Sequence, residues 1–135
     1  MTTDLQARLA AFNETKAHFD KRQFSWGSVD CLKVARYHSI KMGHKPPRPP
    51  RYSSLAGAIR ALKKMGVSTC DELLDNHFLK IPPAAAIVGD LLVSSGEDGM
   101  DAIMISAGRW IYGFHEDSDV LEFILPENIK SAYRL

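Results

Sequence analysis

Phe24-Ser25-Trp26-Gly27-Ser28-Val29-Asp30-Cys31 is the stretch on which the reading of the fold turns. Two aromatic residues precede a glycine, and Ser28 and Asp30 carry short side-chain oxygens that suit the N-cap of a helix. Downstream, Val34, Ala35, His38 and Met42 fall on the same helical face as Cys31, a mostly apolar stripe with one histidine in it. Cys31 is therefore expected in the first turn of a helix, where free amides and the helix dipole favour negative charge. A thiol so placed is expected to ionise more easily, and the thiolate is the nucleophile. The plainer alternative is a small buried hydrophobe on a helix face.

Before this stretch, residues 3–20 read as a helix, with Thr3 as its cap and Leu5, Leu9, Phe12 and Phe19 near one face. Lys16 interrupts that face, Gln6, Arg8 and Glu14 fall off it, and His18 reads as a surface residue. After it, Gly43 suits a left-handed helix end. His38 lies two turns beyond Cys31, about 10 Å along the axis, too far to touch the thiol directly. Lys45-Pro46-Pro47-Arg48-Pro49-Pro50-Arg51 follows, with four prolines in seven residues. Such a run forms neither helix nor interior strand and predicts a stiff basic arm. It reads either as a docking arm or as a rigid crossover.

Ser53 or Ser54 can cap a second helix over residues 55–64, which Gly66 ends. A third, short helix is expected over residues 71–78 behind Ser68 or Thr69, with Asp71 and Glu72 at its positive end. Cys70 lacks an aromatic-glycine lead-in and reads as structural or incidental, and His77 as a last-turn residue. Pro82-Pro83 then breaks the pattern. Strands are expected over residues 87–94, entered through Gly89-Asp90, then 100–107, 110–115 and 120–125, and residues 128–135 read as a short edge segment or turn. Helices first and antiparallel strands after make an α+β pattern, with N-terminal helices packed on a small antiparallel sheet.

The chain has 135 residues, which fits one domain over 1–135 able to bury an ordinary core. Its formal net charge of +1 gives no global field toward nucleic acid or an anionic membrane, and nucleic acid is not expected as a partner. No apolar run reaches membrane-spanning length. Met1-Thr2-Thr3-Asp4 shows no basic segment leading into an apolar one, so no signal peptide is expected. Two cysteines make no disulfide framework and read as free thiols. Five scattered histidines show no metal-ligand spacing, and neither metal nor cofactor is expected.

Trp26-Gly27 and Asp30-Cys31 followed by a helix resemble the nucleophile motif of the NlpC/P60 superfamily of papain-like cysteine peptidases. Tyr52-Ser53-Ser54, Gly57, Gly66, Gly89-Asp90 and Ala132-Tyr133-Arg134 come in an order that resembles the small NlpC/P60-like proteins of bacteriophage and prophage tail modules. The resemblance covers roughly residues 5–135 and implies a papain-like fold, with Cys31 as nucleophile and Trp26, Gly27 and Asp30 supporting the site. It also implies a place in the virion, or in the host cytoplasm during assembly, among other tail and baseplate proteins. The family histidine that takes the thiol proton opens the second core strand, and Asp101 stands there. The family's third polar residue aligns near Tyr112 or Gly113. A carboxylate beside a thiol raises its pKa and, once ionised, has no proton to give the leaving group. His115 is the remaining candidate for a substitute base.

Two functions follow. One is a catalytically inactive structural component of a phage tail tip or baseplate. The other is a cysteine peptidase or amidase that cuts peptidoglycan peptide cross-links during phage infection, with a cell-wall peptide as substrate.

Overall fold

The computed structural model describes residues 4–96, 99–114 and 118–135. Four helices come first: α1 (Leu5–Phe19), α2 (Cys31–Lys41), α3 (Leu55–Lys64) and α4 (Cys70–Asp75). Six strands follow: β1 (Leu79–Ile81), β2 (Leu91–Ser94), β3 (Ala102–Ala107), β4 (Trp110–Phe114), β5 (Leu121–Ile124) and β6 (Ile129–Arg134), with a 3-10 turn at Pro83–Ala85. They form one antiparallel sheet in the order β1-β6-β2-β3-β4-β5. The α+β reading thus holds, and α2 packs against β3.

Each helix begins at a side-chain cap. Asp4 accepts from the Gln6 amide, Asp30 from Lys33, Ser54 from Gly57 and Thr69 from Glu72, so an amide with no intrahelical partner is satisfied at each start. Asp4, rather than Thr3, caps α1; Thr3 lies outside the described residues.

The buried face of α1 differs from the expected one. Leu5 is 62% and Leu9 47% exposed, while Arg8, Ala11, Phe12, Thr15 and Phe19 are buried. Those five fall at helical spacing, so the stripe is real but turned to include an arginine. Arg8 meets Asp90 in an ion pair whose side chains are both fully buried. Its Nε donates to the Val88 carbonyl at 2.7 Å and its Nη1 to the Leu135 carbonyl at 2.8 Å. Asp90 also accepts from the Ile87 and Leu135 amides and from Arg134 Nε. This is how buried charges persist, paired and with their remaining sites filled.

The strand expectations need two corrections. Residues 128–135 are not an edge: β6 lies inside the sheet between β1 and β2. Its Tyr133 is fully buried and donates its hydroxyl to Asp71 at 2.7 Å, tying α4 to the sheet. Residues 87–90 are a turn, with the Asp90 amide donating to the Ile87 carbonyl, so β2 starts only at Leu91. β1, beyond the expected third helix, completes the far edge.

Both sheet faces carry apolar residues. Leu91, Val93, Ile103, Ile105, Tyr112 and Tyr133 join the helices in the main core. Leu92, Met104, Ile111 and Ala132 form a second cluster closed by Ile81, Ala86, Ile124 and Ile129. Gly113 serves this second cluster, since a Cβ there would lie 2.4 Å from Met104 Cγ.

Candidate functional site

Residues 24–31 fold into a tight loop that delivers Cys31 to the first position of α2. Ser25 and Val29 exchange backbone hydrogen bonds of 2.8 Å, closing the loop. Gly27 has φ +88°, and a Cβ on it would lie 2.0 Å from the Tyr52 carbonyl oxygen. Only glycine meets both demands. Asp30 is fully buried. One carboxylate oxygen caps α2 at the Lys33 amide (2.9 Å) and the other accepts from the Gly27 amide (2.7 Å). The Tyr52 hydroxyl donates to both oxygens, at 3.0 and 2.8 Å. Asp30 therefore joins the Trp-Gly turn, the helix start and the end of the proline arm. Tyr52 is the site residue whose role sequence reading missed; it entered only as part of the Tyr52-Ser53-Ser54 motif, with no bond to Asp30 expected of it. Trp26 is half-buried, packs against the main core and meets Phe24 edge-to-face, with ring centres 4.9 Å apart.

Cys31 is half-buried as a residue, and its side chain packs against the core. Burial pushes the thiol up to about 11, and the neighbouring Asp30 carboxylate adds to the rise; the Ile103 amide and the first amides of α2 oppose it. The expected ease of ionisation is thus overturned. Loss of hydration penalises the thiolate more than the helix dipole favours it.

The described histidines do not supply a base. His38 is fully buried in the core. Its Nε2 faces the Gly89 carbonyl at 2.8 Å and its Nδ1 faces Thr15 Oγ1 at 2.9 Å. A carbonyl only accepts, so Nε2 carries the proton and the Thr15 hydroxyl donates to Nδ1. Burial lowers the His38 pKa to about 4 and keeps the ring neutral. His18 is exposed and stacks on Tyr37 with centres 4.2 Å apart, and His44 packs edge-on against Phe78. His77 follows the end of α4. Among the described residues no imidazole is hydrogen-bonded to Cys31. His115 lies outside the described residues.

Asp101 immediately precedes β3, where the family histidine is expected. Its carboxylate is held elsewhere. Oδ2 forms an ion pair with Lys130 on β6, and Oδ1 accepts from the Gly96 amide at 3.3 Å. Lys130 also meets Asp71 at 3.2 Å, so Asp101 belongs to a bridge linking α4, β3 and β6. Its backbone carbonyl accepts from the Cys70 thiol at 3.4 Å. Cys70 is buried, which raises its thiol pKa and, of the two readings, favours the structural one. Tyr112 and Gly113, the other aligned positions, sit in β4. Tyr112 is buried against Phe12 and Phe123, and Gly113 has no side chain to offer. The structure thus brings Trp26, Gly27, Asp30 and Cys31 together and leaves the sulfur without an acid–base partner among the described residues. No cluster of three or more His, Cys, Asp or Glu among the described residues suits a metal ion, and no helix there is long and apolar enough to cross a membrane.

A family model described as a domain of unknown function (DUF6950) matches residues 2–135. No curated protein matches the chain.

Proposed function

The chain belongs to the DUF6950 family, and we propose that in it a papain-like NlpC/P60 domain without a working base serves as a structural part of a phage tail tip or baseplate. The observation that carries this reading is the state of Cys31. Its thiol is held near 11 by burial, and no described imidazole reaches it. Thiol chemistry near neutral pH needs a base to take the proton and later return one to the leaving amine. The papain-like assignment is supported by a cysteine at the start of a helix packed on an antiparallel sheet. The tail assignment rests on the ordered motifs running from Trp26-Gly27 to Ala132-Tyr133-Arg134.

Purified protein incubated with peptidoglycan should release no peptide, and Cys31→Ala should leave tail assembly intact. Hydrolysis that disappears in Cys31→Ala would overturn the proposal. The built nucleophile loop favours the second reading, a cysteine peptidase or amidase acting on cell-wall peptide, and in that event His115→Ala tests the substitute base.

A further inference from the structure

The net charge of +1 conceals a segregation. Nine of the seventeen Lys and Arg, and none of the sixteen Asp and Glu, lie between Cys31 and Cys70. In the fold this segment is α2, the proline arm and α3. Lys41 pairs with Glu14 at 3.3 Å. The other eight cations take part in no ion pair among the described residues, whereas Lys80, Lys130 and Arg134 outside the segment each meet a carboxylate. Unpaired cations gathered in one segment are the electrostatic footprint of an anionic partner.

The segment also contains a groove. Residues 50–54 run beside α3, and Gly57 and Ala61 line the groove between them. Gly57 permits the close approach, since a Cβ there would lie 3.1 Å from Tyr52 Cβ and 3.2 Å from Ser54 Oγ. Arg51, Arg60 and Lys64 also line it, with the exposed Ser53, and no carboxylate among the described residues does. Gly57, Arg60, Ala61 and Lys64 follow helical spacing, so one side of α3 supplies both the small residues and two of the cations. Guanidinium forks and an ammonium without competing acids suit phosphate oxygens.

The cations continue past the groove. Lys33 lies 5.4 Å from the centre of the Tyr52 ring, and Arg36 Nε donates to the Pro47 carbonyl at 3.4 Å. The cations of α2 therefore abut the arm, and the charge forms a track rather than a point. A track favours a polymer over a single anion. Among the described residues the one aromatic lining the groove, Tyr52, is half-buried with its hydroxyl committed to Asp30, so they offer no platform for base stacking there.

We propose that this track binds the phosphodiester backbone of duplex nucleic acid without sequence preference, with Arg51, Arg60 and Lys64 seating phosphates in the groove. Nothing in this assignment depends on the chemistry of Cys31.

Fluorescence anisotropy with a labelled DNA duplex tests it. Binding should weaken on the order of 40-fold between about 50 mM and about 200 mM salt, the response of roughly three neutralised phosphates. The triple variant Arg51→Ala, Arg60→Ala, Lys64→Ala should lose about tenfold or more at the lower salt and most of the salt dependence. Arg109→Ala, in the β3–β4 turn, should change neither. All four positions are exposed, and circular dichroism confirms folding of each variant. No binding at the lower salt, or binding unchanged in the triple variant, overturns the proposal. Polyglutamate binding as tightly as DNA overturns it in favour of an acidic protein partner. Poly(glycerol phosphate) binding in preference to DNA overturns it in favour of a wall polymer.

Discussion

Gly27 and Asp30 show how much one position can hold. Gly27 combines a positive φ with a backbone oxygen where a side chain would begin. Gly27→Ala is expected to destabilise the protein by at least about 2 kcal/mol in urea unfolding, because the loop must shift and take the Asp30 cap with it. Cys31 makes a prediction about reactivity. With the thiol near 11, its alkylation by iodoacetamide should keep accelerating up to about pH 10, where an ordinary thiol of pKa about 8.5 has already levelled off. A plateau near pH 8 would contradict the burial argument.

His38 makes a prediction about stability. Above pH 6.5 it is neutral in both folded and unfolded chains. Below that, the unfolded chain takes up a proton that the folded protein refuses until about pH 4. The unfolded state therefore binds more protons in this window, and stability falls as pH drops through it. The loss should reach roughly 3 kcal/mol at its limit, seen as a lower urea midpoint at pH 4.5 than at pH 7.

At the scale of elements, the connection that matters most is between α1, the turn before β2, and β6. Arg8 and Asp90 are 82 residues apart in sequence, and Arg8 reaches the Leu135 carbonyl across 127. Arg8→Ala would leave Asp90 buried with part of its compensation gone. The expected cost is about 3–5 kcal/mol, measured by thermal or urea unfolding. The same tie explains two missed readings. Arg8 is classed as polar, so a stripe built on hydrophobicity turned toward Leu5 and Leu9. Residues 129–134 contain Lys130, Ser131 and Arg134 and so lack the apolar alternation of an interior strand. Their polar groups are satisfied by Asp71, Asp101 and Asp90, which only the fold brings near. The starts of α2, α3 and α4 were legible, because a cap and the amide it serves are at most three residues apart, whereas at α1 the cap is Asp4, one residue beyond the expected Thr3.

At the scale of the molecule, the two chain halves interlock rather than stand side by side. α2 packs on β3, α4 on β6, and β6 bridges β1 and β2. Unfolding should therefore be one cooperative transition. Near-ultraviolet and far-ultraviolet circular dichroism should report the same midpoint, and separated midpoints would show that the helices and the sheet melt independently.

The amino-acid order by itself determined the α+β succession, the placement of Cys31 at a capped helix start, and the stiff proline arm. Each depends on backbone conformation and hydrogen bonds spanning only a few residues. Tertiary structure alone decided that the thiol stays protonated, that Arg8 is core, that β6 is interior, and that Asp101 answers to Lys130. Those outcomes depend on desolvation and on charges meeting across long separations, and hydration is lost only when the distant parts of the chain close over a group.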